Sequence, residues 1–150
     1  MGLYAITGGT SGIGAAIKSR LQSAGHDVIV IDIHHADIEA DLSSQAGREH
    51  ANAELARMAS EGLDGFVACA GVGSHVTPHS LITRVNYFGA IASIEGAKDL
   101  VARKNGAMVI VSSQSAVMDY DENYVQLLED GMETEACAAA DRTDGQTAYG

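Results

Sequence analysis

Positive charge is scarce in this chain: nine Lys and Arg stand against twenty Asp and Glu, for a net charge of −11. Nucleic acids and anionic membranes are bound through Lys and Arg, so this balance argues against both as partners. Cysteine is equally sparse, and Cys69 and Cys137 offer neither a disulfide framework nor a metal-ligand spacing. The six His include no HExxH pattern. His34 and His35 are adjacent, which on an extended segment places them on opposite faces as solvated residues, and no metal site is expected. No apolar run approaches bilayer length. Met1-Gly2 leads directly into Leu3–Ile6 without a signal-peptide pattern, and Ile6 stands where N-myristoylation needs Ser or Thr. These absences make the cytoplasm the expected location.

What remains is a chain of 150 residues, 46% hydrophobic, long enough to bury the core of one domain. Leu3–Thr7 is an apolar run of strand length. Ile13, Ala16, Ile17, Leu21 and Ala24 recur at helical spacing, and Gly25 ends that helix. Val28–Ile31 is a β-branched run suited to a strand buried on both faces. A shorter strand is expected at Ile38–Ala40. Ser43 or Ser44 can cap the next helix, whose stripe is Ala51, Leu55, Met58 and Ala59. Phe66–Ala70 is a further buried strand, and Leu81, Val85, Phe88 and Ala92 mark a long helix running to about Arg103. Met108–Val111 is the fifth strand. Strands and helices alternating at these lengths predict βαβ units: an α/β fold with a Rossmann-type, doubly wound parallel sheet, strands one to five.

The chemistry begins where the first strand passes into the first helix, at Thr7-Gly8-Gly9-Thr10-Ser11-Gly12-Ile13-Gly14. Gly8 permits a tight turn, Gly12 lets the backbone approach a pyrophosphate, and Gly14 lets helix and strand pack closely. The phosphates would lie at the helix N-terminus, where free N–H groups and the dipole favour anions. A P-loop is excluded, because Ala15-Ala16 stands where Lys and Ser/Thr are required. Asp32 ends the second strand eighteen residues after Gly14. An acid there accepts from the adenosine ribose hydroxyls and repels a 2′-phosphate, which favours NAD over NADP. Ile33 follows it. Asp41-Leu42 either borders the adenine or, through Asp41, caps the following helix.

Taken together, these segments resemble the short-chain dehydrogenase/reductase family. Gly8, Gly12 and Gly14 match its TGxxxGIG spacing. Cys69-Ala70-Gly71 resembles its NAG segment, with Cys69 in place of Asn. Asn86-Tyr87-Phe88-Gly89 resembles NxxG, Val111-Ser112-Ser113 the strand end bearing a catalytic Ser, and Tyr149-Gly150 the opening of YxxxK. Within the family, Val30-Ile31-Asp32-Ile33, Ala40-Asp41-Leu42, Val85–Ala90 and the long Ser-to-Tyr interval resemble the bacterial 3α-hydroxysteroid dehydrogenase/carbonyl reductase subfamily.

The resemblance implies an NAD-dependent oxidoreductase moving hydride between nicotinamide and a secondary alcohol or ketone, steroid-like or another carbonyl compound. It implies that Tyr149 is the acid/base, Ser113 binds the substrate oxygen and Asn86 helps hold a water relay. A free phenol titrates near pH 10, so this Tyr needs nearby positive charge, which the family draws from a Lys four residues on. That position would be 153. The chain is therefore expected to be the N-terminal part of a longer enzyme, without turnover alone, and a homo-oligomer when full length. A non-catalytic NAD-binding sensor is the alternative.

Residues 1–150 are read as a single Rossmann domain with an acidic insert at 114–148. Residues 114–150 hold nine acids against Arg142 alone, a charge of −8. Tyr124, Val125, Leu127, Leu128 and Met132 suggest one short amphipathic helix within Met118–Thr147. Such an excursion either obstructs or reshapes the helix pairing through which this family often joins subunits, or forms a solvated surface loop.

Overall fold

The computed structural model describes residues 1–117 and 119–149. Met118, at the head of the acidic segment, and Gly150, the second residue of the Tyr149-Gly150 pair, lie outside the described residues. The chain packs as two compact units, Met1–Ala70 with Gly89–Val111, and Gly71–Phe88 with Ser112–Gly150.

The first unit holds strands β1 (Leu3–Thr7), β2 (Asp27–Asp32), β3 (Ile38–Glu39), β4 (Gly65–Ala68) and β5 (Ala107–Ile110), with helices α1 (Gly12–Ser23) and α2 (Gln45–Met58) between them. The strands form one parallel sheet in the order β3-β2-β1-β4-β5, the Rossmann arrangement the alternating pattern predicts. The pleat divides its side chains between two faces. Ala5, Ile29, Ile31, Phe66 and Ala68 join one core with Ala51 and Leu55 of α2. The residues between them, Ile6, Val30 and Val67, form the other core with Ile17 of α1. Burial on both faces explains why β1, β2 and β4 are apolar runs rather than alternating ones. At the edge, Val109 and Ile110 of β5 are exposed.

β4 ends two residues earlier than the apolar run suggests. The Cys69 and Ala70 N–H groups donate to the buried Thr7 Oγ1, at 3.0 and 3.1 Å, which draws the chain away from the strand ladder. The capping choice for α2 falls on Ser44, whose Oγ accepts the Gly47 N–H at 3.0 Å. His34 and His35 are exposed as expected, but on a turn rather than an extended segment, since His35 has φ +57.

In the second unit the turn α3 (Ser80–Ile82) leads into a π-helical segment, Thr83–Gly89. The chain then enters α4 (Ala90–Arg103), which belongs to the first unit, so the long helix expected here is present with a wider winding in its first part. A 3₁₀ turn (Gln114–Val117) precedes α5 (Glu122–Glu129), α6 (Glu133–Ala140) and α7 (Gly145–Tyr149). The acidic segment therefore carries more helix than the one amphipathic stretch expected, and it is not a solvated loop. Tyr124, Ala136, Ala140 and Ala148 form a core with Ile82. Acids occupy the outer face and α5 starts at Asp121, whose carboxylate accepts the Asn123 and Tyr124 N–H groups at 2.9 and 3.1 Å. Among the described residues no helix is long and apolar enough to cross a membrane.

Candidate functional site

Gly8 adopts φ +72, and a Cβ there would lie 2.7 Å from the Ala70 Cα. A Cβ on Gly14 would lie 2.0 Å from the Gly8 carbonyl oxygen. Both positions are fixed as glycine by close backbone approach. Gly12 differs: it has φ +52, but a Cβ would meet nothing within 4 Å. Its absence leaves an open approach to the first turn of α1. Ser11, the residue before that helix, makes no side-chain cap to it. Thr10, Ser11, Gly12 and Ile13 are all exposed. The result is a helix N-terminus with unsatisfied N–H groups and free access for an anion.

Asp32 faces this loop from the end of β2. Its Oδ2 accepts from the Thr10 N–H at 3.0 Å and the Thr10 hydroxyl at 2.6 Å, and its Oδ1 accepts the Ile33 N–H at 2.8 Å. A carboxylate offers about four acceptor positions, so Oδ1 keeps one for a further donor. Ile33 leaves its side chain exposed beside it. A crevice of about 340 Å³ beside Thr10 is also lined by Lys18 and His35.

The remaining predicted cofactor residues fare differently. Asp41 is exposed but does not cap α2, because its Oδ1 accepts the Ser43 N–H at 2.9 Å in a local turn. Leu42 is 5% exposed and belongs to the sheet core, so its side chain is a packing residue. Cys69 is half-buried, and burial pushes its thiol pKa up, away from a reactive thiolate. Thr7 Oγ1 braces the turn there through the backbone N–H groups of Cys69 and Ala70.

Gly71, Asn86, Ser113 and Tyr149 all belong to the second unit. Asn86 sits in the π-helical segment, a winding often found at functional sites. Its Oδ1 accepts the Val72 N–H at 2.8 Å and its Nδ2 donates to the Val72 carbonyl at 2.9 Å. This reciprocal pair holds the loop after β4 and leaves one amide N–H and one lone pair. A Cβ on Gly71 would press on Asn86 Oδ1 at 3.3 Å. Ser113 is half-buried, and its Oγ accepts the Ser115 N–H at 3.1 Å, which leaves its own hydrogen to donate. Tyr149, at the end of α7, packs partly buried against the second unit's core. Among the described residues no group of His, Cys, Asp or Glu is arranged to hold a metal.

Two carboxylates that drew no attention in the sequence shape this unit. Asp141 Oδ1 accepts the Ser80 N–H at 2.7 Å, and Asp144 Oδ1 accepts the Thr147 N–H at 2.9 Å at the start of α7. These backbone bonds hold both pKa values below the ordinary 3.8. A depressed folded-state pKa stabilises the fold above the unfolded value and loses that contribution as pH falls through the folded one. The second unit is therefore expected to loosen below about pH 4. Hydrogen exchange at the Ser80 amide measures this, and Asp141→Asn, which keeps an acceptor without the charge, should flatten the acid dependence. Identical acid profiles for the two proteins would remove Asp141 from the account.

A parallel sheet in this order, with a glycine turn and acid at its β1–β2 end, defines a Rossmann-fold protein of the dinucleotide-binding type. The short chain dehydrogenase model matches residues 3–125, and the chain belongs to that family. It is 39% identical, over 97% of its length, to the 3-alpha-hydroxysteroid dehydrogenase/carbonyl reductase of Comamonas testosteroni, covering 58% of that protein. It is 34% identical to the coniferyl-alcohol dehydrogenase of Pseudomonas sp. (strain HR199 / DSM 7063), over 72% of this chain and 42% of that one. The crystal structure of the 3-alpha-hydroxysteroid dehydrogenase from Pseudomonas sp. B-0831, complexed with NADH, superposes with a TM-score of 0.91 at 41% identity, covering 98% of this chain and 59% of that one. The chain thus spans about three fifths or less of the length of these relatives. The family resemblance read from the sequence, and the hydroxysteroid dehydrogenase likeness within it, are borne out.

Proposed function

We propose that the chain carries the nucleotide-binding and proton-transfer residues of an NAD-dependent oxidoreductase that interconverts a secondary alcohol and a ketone. The observation that carries this reading is the cradle at the start of α1: an uncapped helix N-terminus, open space at Gly12 and the Asp32 carboxylate beside Thr10. The cradle fits a dinucleotide. Gly8–Gly14 would hold the pyrophosphate and Asp32 the adenosine ribose, with Ile13, Ile33, Asp41, Cys69 and Ala70 flanking them; Gly71, in the second unit, is proposed as a further cofactor residue. A bound nicotinamide supplies the hydride acceptor or donor. The chain's own residues handle the proton: Ser113 donates its free hydrogen to the substrate oxygen, Tyr149 exchanges the proton there, and Asn86 keeps one amide N–H for water. The names of the two hydroxysteroid dehydrogenases support a steroid-like alcohol or carbonyl compound as substrate, and the full enzyme is proposed to be a homo-oligomer.

The cofactor assignment is tested on this chain by titrating NADH and NADPH and following nicotinamide fluorescence. NADH should bind much the tighter, because the Asp32 carboxylate repels a 2′-phosphate. Asp32→Ala should narrow that gap. Tighter binding of NADPH by the unaltered protein would overturn the assignment.

A further inference from the structure

We propose that Tyr124, in the acidic segment, is a positioning residue that fixes Tyr149 against the segment bearing Asn86. This rests on the roles given above to those two residues. Tyr124 is 5% exposed and Thr83 is 1% exposed. Their hydroxyl oxygens lie 2.8 Å apart, and the Tyr124 hydroxyl also reaches the Ala148 carbonyl at 3.3 Å. A carbonyl only accepts, so the Tyr124 hydrogen goes to Ala148 and the Thr83 hydrogen goes to Tyr124. Burial pushes the Tyr124 pKa up, which keeps the hydroxyl a donor throughout the neutral range. The chain Thr83 to Tyr124 to Ala148 is thus directed and saturated.

Its two ends matter. Thr83 opens the π-helical segment three residues before Asn86, and Ala148 immediately precedes Tyr149. α7 is only five residues long and cannot hold its own orientation. Its bond from Gln146 Nε2 to Ser115 Oγ at 3.0 Å and the Asp144 bonds to Thr147 at its start are exposed, where water competes. The buried Tyr124 bond is shielded from that competition. A packing residue would only need the ring. A positioning residue needs the hydroxyl, and that difference can be measured.

Tyr124→Phe keeps the ring and removes the bridge; Thr83→Val breaks the same bridge from its other end, and Thr83→Ser restores it. Two readouts apply to the full gene product: steady-state kinetics with NAD, and the ring-carbon NMR signal of Tyr149 in protein labelled on tyrosine Cζ. Tyr4, Tyr87 and Tyr120 serve as internal references. The expected result is a folded Tyr124→Phe protein with unchanged NAD affinity, a displaced Tyr149 signal and a kcat lower by up to about 10²-fold, the scale of a misplaced catalytic group. Thr83→Ser should return both values toward wild type. Should Tyr124→Phe fail to fold, Thr83→Val decides by the same criteria. A folded variant whose kcat and Tyr149 signal match wild type overturns the proposal. A wild type that turns over no alcohol overturns the functional reading alone, because the Tyr149 signal still reports the coupling.

Discussion

Gly14→Ala is expected to abolish dinucleotide binding and to destabilise the sheet unit, although the exchange places the best helix former inside a helix. In an ordinary helix interior, Gly to Ala stabilises by about 1 kcal/mol. Here the added Cβ would sit 2.0 Å from the Gly8 carbonyl oxygen and 2.8 Å from its carbon, both backbone atoms. Neither can turn aside as a side chain could, so α1 must move off the strand or the turn must open. Gly12→Ala gives the contrast. Its φ of +52 costs a residue with Cβ about 1–2 kcal/mol, but the new methyl meets nothing within 4 Å. That variant should fold with a modestly lower melting temperature and still lose affinity, because the methyl projects into the approach that the phosphates need. Thermal melts and NADH titrations of both variants separate the two effects. A Gly14→Ala protein that binds NADH like wild type would show that the loop yields where its geometry says it cannot.

The parts of the fold that were legible in the sequence are those with one strong local signal. Val28–Ile31 is apolar without alternation because both pleat faces are covered, and it lies within β2 as expected. The glycine turn was legible because its spacing answers three separate steric demands. Asp32 was legible from its distance to Gly14, yet its bonds to Thr10 were not, since they depend on how the turn folds back toward β2. Next to an exposed Asp41, the Leu42 side chain turns into the core, a packing role that its neighbours in the sequence did not announce. α6 was missed altogether. Its sequence, ETEACAAA, has no large apolar residue, and small side chains give little periodic signal. Those small residues are what bury Ala136 and Ala140 at the core of the second unit. Tyr124 did stand out as apolar, but the polar bridge at its far end could be found only from the structure.

Tyr149→Phe should leave the fold and the dinucleotide affinity intact and remove nearly all turnover. Tyr149 packs partly buried against the Ile82 and Ala148 core, and Phe preserves that ring contact. The exchange deletes one oxygen, and with it the only atom of the side chain able to take or give a proton. Positioned acid/base groups contribute about 10²- to 10⁴-fold to rate, so kcat of the full gene product on a secondary alcohol should fall by that factor. Ser113→Ala should cost less, since its Oγ is already held by the Ser115 N–H and, in the proposed reaction, supplies a hydrogen bond rather than the proton itself. The measurement is kcat and KM for alcohol and ketone in both directions, with NADH affinity and melting temperature as controls. Unchanged affinity with a collapsed kcat assigns the proton step to Tyr149. A Tyr149→Phe enzyme within tenfold of wild type would move that step to another group, and a wild type that binds NAD without oxidising any alcohol would favour the sensor reading over the catalytic one.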